Sequence, residues 1–421
     1  GPAAAAVLLR DPEVLRLWGA GAVIQCARWL DILSFGVLVL DWTASPLAVA
    51  LVLFVRMLPL LLLGSIAGTL ADRLDRRRLL VIGLSTICVL LALGAWWSSD
   101  GEPHVPLAFG LAIAGGVLWS GELPMRRGLL AEAAGMDRVG TSMGLEQLTS
   151  NFTRMIGPAT GGALVALLGF TGVLAAGLIL HGLALLMILG VKPSGQAQKV
   201  TEPIRILGPL KEGWRYVRTT PILIGTVMVT AAMNLWGFPY MSLVPVIALE
   251  VMNLGPVGTG LLVSAEGAGA FIGSIAITLA APPHWFRRIY SLGTLLFLAA
   301  VVLFGFTTTP WTAAACTALA GVGMACFGTM QMVLILQGAE SHLRGRALGI
   351  LVGAMGLAPF GFLQFGLAAS WLDGSTAVVL VAGIGLVAVL ACTVVWPTLL
   401  QNGQVTPVRS AHPAAPPRAS Q

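Results

Sequence analysis

Charge is what this sequence has least of. Only 10% of its 421 residues are Asp, Glu, Lys or Arg, while 57% are hydrophobic. So few charges cannot solvate the surface of a globular protein of this length, which excludes a water-soluble fold. Cysteine is sparse as well: Cys26, Cys88, Cys316, Cys326 and Cys392 all fall inside apolar runs without paired spacing. That excludes a disulfide framework and a zinc site and leaves small apolar side chains. The sequence contains no nucleotide-binding loop and no nucleophile motif. Any work the chain does must then draw on an ion or substrate gradient, and neither metal nor cofactor is expected. The net charge of +6 does not point to nucleic acid, because the basic residues recur in small groups instead of sharing one solvated face.

What is present is apolar sequence in membrane-length pieces. Fifty-two glycines and 24 prolines suit membrane helices. A spanning helix needs about 20 mostly apolar residues, and twelve such segments are expected at 14–40, 47–71, 79–97, 106–127, 141–168, 172–191, 221–248, 257–280, 289–307, 310–337, 347–370 and 375–400. All but Arg28, Arg56 and Arg154 of the 24 basic residues lie at the two termini or in alternate connections and the segment ends that flank them. Basic residues are retained in the cytoplasm, so both termini are expected there. The start, Gly1-Pro2, reads as a scar of tag removal, and the first segment is too long for a cleavable signal peptide. The expected class is an all-α, multi-pass membrane protein.

The longest polar connection follows the sixth segment. Within it Ile206, Leu210, Trp214 and Val217 have helical spacing, as in an amphipathic helix at a membrane surface. The expected organisation is a six-helix bundle over 1–191, a linker over 192–220, a second six-helix bundle over 221–400 and a Pro/Ala/Ser-rich disordered tail over 401–421. The halves echo each other. GSIAGTLAD at Gly64 returns as GSIAITLAA at Gly273, and AEAAGMDRVGTSMG at Ala131 returns more weakly as AESHLRGRALG at Ala339. Parallel repeats of this kind place a binding cavity between two halves.

GSIAGTLADRLDRRRLL, from Gly64 to Leu80, resembles the loop between the second and third helices of major facilitator superfamily transporters, with Asp75 where a glycine is usual. RMIGPATGG in the fifth segment (Arg154, Gly157, Pro158, Gly161, Gly162) resembles that superfamily's exporter motif. RDPEVLRLW, EGWRYVRTTP and GPVGTGLLVSAEGAGAFIG are similar to the subgroup of enterobactin exporters, macrolide efflux proteins and lysophospholipid transporters. The resemblance implies two pseudo-symmetric six-helix bundles that work by alternating access. It also implies a cytoplasmic gate in which Asp72, beside Arg73 and Arg76, meets Arg126 or Arg127 and the start of the eleventh segment near Leu348. Glu122 with Arg126 is expected as a structural or gate-forming pair. The GPxxGG glycines either let the helix bend at Pro158 or simply permit close packing.

Charges at membrane depth cost about 2.5 to 3.5 kcal/mol each on insertion scales, so those present are the functional candidates. Arg28 and Asp31 share a helical face and are expected partly to neutralise each other, and Arg56 lies at similar depth on the next helix. Asp31 either exchanges a proton for substrate or forms a permanent pair with Arg56. Glu266 has no basic neighbour in sequence and is expected to be unpaired, binding a cationic group, carrying a proton or facing a wet cavity. Arg154 is expected to hold an anionic group or to reach a carboxylate across the cavity. His181, lone on the sixth segment, is expected as a hydrogen-bonded packing residue, with a proton shuttle as the alternative. Gln25, Asn234, Trp236, Tyr240, Gln331 and Gln364 are the cavity candidates, suited to a large amphipathic ligand.

The expected function is a monomeric secondary exporter of an amphiphilic, siderophore- or drug-like molecule in the bacterial inner membrane, driven by protons or Na+. A lipid or lysophospholipid translocator is the alternative, and a non-transporting receptor or scaffold the remote one.

Overall fold

A computed structural model describes residues 8, 10–192, 207–340 and 342–403; the side chains of 65–73, 136 and 207–210 lie outside that description. The described residues form helices joined by short turns, with no strand among them. In order they are α1 (Pro12–Thr43), α2 (Pro46–Arg73), α3 (Arg76–Trp97), α4 (Val105–Ala134), α5 (Val139–Leu189), α6 (Leu207–Thr219), α7 (Pro221–Ala232), α8 (Pro256–Ala280), α9 (Phe286–Gly305), α10 (Pro310–Gly338), α11 (Arg344–Met355), α12 (Ala358–Trp371) and α13 (Gly374–Val395). Eleven helical stretches among the described residues are long and apolar enough to cross a membrane.

The turns carry local reasons for their positions. Asp11 caps α1 by accepting from the amides of Glu13 and Val14, with Pro12 at the first helical position. Asp75, the residue that departs from the family loop, accepts from the amides of Arg77 at 2.9 Å and Arg78 at 3.2 Å and so starts α3.

The segments expected separately at 141–168 and 172–191 run together as α5, whose 51 residues would extend about 77 Å if straight. They are not straight. Gly169 has φ 62° and ψ −159°, a conformation open essentially only to glycine, and breaks the helix into two legs. Both legs lie along α1 in opposite directions. Thr149 accepts from the Trp18 indole at 2.9 Å while Met187 meets neighbouring Gly19. Further along α1, Gly161 faces Leu30 and Gly177 faces Asp31. Pairing of 149 with 187 and of 161 with 177 at matching levels is what a hairpin turning at Gly169 produces.

Two other expected helices are interrupted. The one at 221–248 is regular only through α7; Met233–Gly237 is a π-helical turn, and 3-10, short helical and second π turns follow to Val251. Pro239 and Pro245, which lack amide donors, fall in this stretch. The helix expected at 347–370 is split into α11 and α12 at Gly356 and Leu357, ahead of Pro359. The amphipathic linker helix forms as α6, but it packs on α11. Val217 is buried, Tyr216 Oη accepts from the Glu340 amide at 3.0 Å, and Glu212 pairs with Arg346 at 2.7 Å. Of the expected tail, residues 404–421 lie outside the described residues.

A tight seam joins α5 to α8. A Cβ on Gly162 would lie 2.2 Å from the Pro256 carbonyl oxygen, one on Gly260 2.5 Å from that of Pro158, and one on Gly267 2.5 Å from that of Arg154. Gly157 and Gly161 do the same service against Trp29 and Leu30 of α1. The helix continues through Pro158, and the next amide, of Ala159, donates to Ser264 Oγ of α8 at 3.0 Å. The motif's small residues therefore pack α5 on two faces at once. Gly162→Val is expected to destabilise the protein by about 1–3 kcal/mol through overpacking, read as a lower melting temperature in detergent. Gly182→Ala, where a Cβ meets nothing within 4 Å, is the control and should leave that temperature unchanged or raised.

Candidate functional site

Among the described residues, three groups of charges are buried in this apolar bundle. The first lies between α1 and α2. Asp31 is 12 residues from the Thr43 end of α1 and Arg56 ten from the Pro46 end of α2, depths of about 18 and 15 Å. Asp31 Oδ2 and Arg56 Nη2 are 3.6 Å apart. Arg56 fits because α4 offers Gly115, where a Cβ would lie 3.1 Å from its Nη1. Arg28 does not neutralise Asp31 as their shared face suggested. Its guanidinium lies over the Trp119 ring at 4.9 Å and donates to Gln25 at 3.4 Å, so an aromatic face and an amide take the place of the carboxylate. Asp31 Oδ1, Arg56 Nη1 and Trp119 Nε1 are buried without hydrogen-bond partners among the described residues. All three residues line one narrow cavity, together with Arg28, Glu122 and His181.

The second group corrects the expectation for Glu266. Far from unpaired, its carboxylate accepts from Arg154 Nη2 on one oxygen and from the Tyr240 hydroxyl at 2.8 Å on the other. Glu266 is on α8, Arg154 on the first leg of α5, and Tyr240 in the irregular stretch after α7. The Arg154 guanidinium also lies 5.0 Å from the Trp29 ring. The partner was invisible locally because it is 112 residues away. The cation and the hydroxyl donor together satisfy both oxygens of the buried carboxyl group.

The third group is larger than expected. Arg126, fully buried, donates to Glu122 and, through both terminal nitrogens, to Glu146 at 3.0 and 3.1 Å. Arg127 adds a bond to Glu146 at 2.8 Å. Glu146 was not among the sequence candidates. Its signal was a carboxylate near the start of an apolar run, which a census of basic residues passes over. Arg126 presses on Gly21 of α1, where a Cβ would lie 2.2 Å from its Nη1, so the network ties α1, α4 and α5. The described contacts of Arg126 and Arg127 are therefore with these glutamates. The side chains of Asp72 and Arg73 lie outside the described residues, while Arg76 pairs with Glu132 at 2.5 Å.

The cavity candidates are scattered. Gln25 is buried beside Arg28, and Tyr240 belongs to the Glu266 group. Asn234 donates back to the Thr230 carbonyl at 2.9 Å, and Gln331 accepts from the Thr230 hydroxyl at 3.4 Å. Trp236 packs on Gly385, and Gln364 is exposed. An apolar groove lies elsewhere, between α1, the first leg of α5 and Phe271 of α8; Thr149 and Thr153 are the hydroxyls along it.

Long apolar helices with ion pairs buried between them define a multi-pass membrane protein. The chain belongs to the transmembrane secretion effector family of the major facilitator superfamily, whose family model matches residues 5–416. It is 27% identical over 372 residues to the multidrug efflux pump Tap of Mycobacterium tuberculosis, covering 85% of this chain and 87% of that one. It is 24% identical over 357 residues to the staphyloferrin A transporter of Staphylococcus aureus, covering 81% and 86%. The fold is shared with the nucleoside transporter NupG (TM-score 0.70, 15% identity, 90% and 98% coverage) and the D-xylose-proton symporter (TM-score 0.69, 13% identity, 90% and 96% coverage).

Proposed function

We propose that this chain exports an amphiphilic small molecule across the bacterial cytoplasmic membrane by alternating access, exchanging it for protons. Twelve crossings in two six-helix halves, 1–191 and 221–400, with both termini cytoplasmic, form the frame of this reading; the hairpin at Gly169 supports the count. The observation that carries the coupling is Asp31: a carboxylate at mid-membrane depth with one oxygen facing Arg56 and the other without a partner among the described residues. Such a group binds a proton when the cation moves away and releases it when the cation returns. Glu266 and Arg154 join α5 to α8, across the proposed halves, and the substrate competes for that pair. The printed names of the two relatives, a multidrug efflux pump and a siderophore transporter, fit a drug- or siderophore-like cargo.

Proteoliposomes with an imposed pH gradient and ethidium as the probe test this reading: ethidium movement with counterflow of protons supports it, and ethidium movement indifferent to the gradient overturns the coupling. Glu266→Gln is expected to change the apparent ethidium affinity about tenfold, or 1.4 kcal/mol, because the buried Arg154 loses its anion. An unchanged affinity returns the pair to a structural role. The groove between α1, α5 and α8, which is apolar but for two threonines, favours a second reading as a lipid or lysophospholipid translocator. Scrambling of a fluorescent lysophospholipid without a pH gradient is its signature.

A further inference from the structure

His181 sits on the second leg of α5, one turn beyond Gly177, and is 5% exposed. Its Nδ1 is 2.8 Å from the Gly177 carbonyl oxygen. A carbonyl only accepts, so Nδ1 carries the hydrogen and, in the neutral ring, Nε2 keeps the lone pair. The same turn approaches the carboxylate: a Cβ on Gly177 would lie 3.7 Å from Asp31 Oδ1. That oxygen is the one without a partner among the described residues, and His181 and Asp31 line one cavity.

The cavity's chemistry is that of a water site. Asp31 Oδ1 accepts, Arg56 Nη1 and Trp119 Nε1 donate, and none of the three has another hydrogen-bond partner among the described residues. A buried water needs two to four such groups. The other ionisable groups facing the cavity are Arg28 of α1 and Glu122 of α4, while α3 contributes Ile87 and Leu91. Arg28 is engaged by Trp119 and Gln25, and Glu122 by Arg126. Asp31 Oδ1, the carboxylate oxygen turned away from Arg56, and His181 Nε2 are thus the two atoms there with proton-accepting capacity.

We propose that His181 and Asp31 form a two-site proton carrier, exchanging one proton between Asp31 Oδ1 and His181 Nε2 through a water in this cavity. The transfer balances: a neutral carboxyl gives up its proton to the Nε2 lone pair, leaving carboxylate and imidazolium, and the carboxylate is then free to pair with Arg56. The assignment rests on the reading of Asp31 as the coupled carboxylate.

The test is reciprocal and needs no substrate. The full chain, in lipid nanodiscs with 15N-labelled histidine, is titrated by NMR, the His181 signal being the one lost in His181→Gln. In Asp31→Asn the His181 midpoint should fall by at least about one pH unit, since the imidazolium loses its anion. Infrared titration reads the other side: the carboxyl band absent in Asp31→Asn should have a higher midpoint in His181→Gln. A His181 midpoint identical with Asp or Asn at position 31 overturns the carrier, and so does a carboxyl band indifferent to residue 181. If either result appears while Asp31→Asn abolishes gradient-driven ethidium transport, the relay falls and the reading of Asp31 stands. If Asp31→Asn transports normally, both fall.

Discussion

Replacing Arg126 by methionine is expected to destabilise the protein by about 3–5 kcal/mol, the cost of breaking a buried ion pair from one side. The magnitude follows from what remains behind. Glu122 loses the guanidinium that it faces within the same helix, and Glu146 keeps only Arg127, whose side chain is 43% exposed and therefore a screened partner. Two carboxylates among apolar helices must then be desolvated or protonated. The loss should appear as a large drop in melting temperature in detergent and poor recovery from the membrane. Adding Glu122→Gln and Glu146→Gln should restore much of it, because a neutral trio needs no cation. If Arg126→Met alone is as stable as the parent, the network contributes nothing and its burial needs another account.

Asp31→Asn is the variant with the largest expected effect on function. Asparagine preserves shape and one acceptor but cannot ionise, so gradient-driven export should fall to the background of empty liposomes, while exchange of ethidium without a gradient persists. The substitution also leaves Arg56 without its anion, which by itself costs stability. The pair Asp31→Asn with Arg56→Gln separates the two effects: it should recover the melting temperature and not the coupling. Retained gradient-driven transport in Asp31→Asn would sink the role given to this carboxylate.

Much of this arrangement was legible in residue order, and what was not has a common cause. Apolar runs mark helices because the bilayer demands it, and the short connection at Leu168–Thr171 pointed to a turn that the structure makes at Gly169. Ion pairs between helices are a different matter. Arg28 and Asp31 have the right spacing for each other, yet Asp31 faces the arginine of the next helix, because rotation of α1 is set by its packing on α5 and not by its own charges. Glu266 looked solitary for the same reason, with its partner in the other half of the sequence. Glu146 leaves no mark in the pattern of basic residues, which encodes orientation in the membrane and not burial. The breaks at Pro239, Pro245 and Gly356 were written in the residues, but hydropathy averages over them.

At Gly162, Gly260 and Gly267 the seam of α5 against α8 sets main chain against main chain, glycine opposite carbonyl. Surfaces lined by side chains adjust to a change by choosing other rotamers; at these three points there are no rotamers to choose. The mutational spectrum of these glycines is therefore one-sided: every substitution adds atoms where none fit, and no smaller residue exists to compensate. In a selection for altered cargo, changes should accumulate around Trp29, Tyr240 and Glu266, and the seam between them should come through untouched.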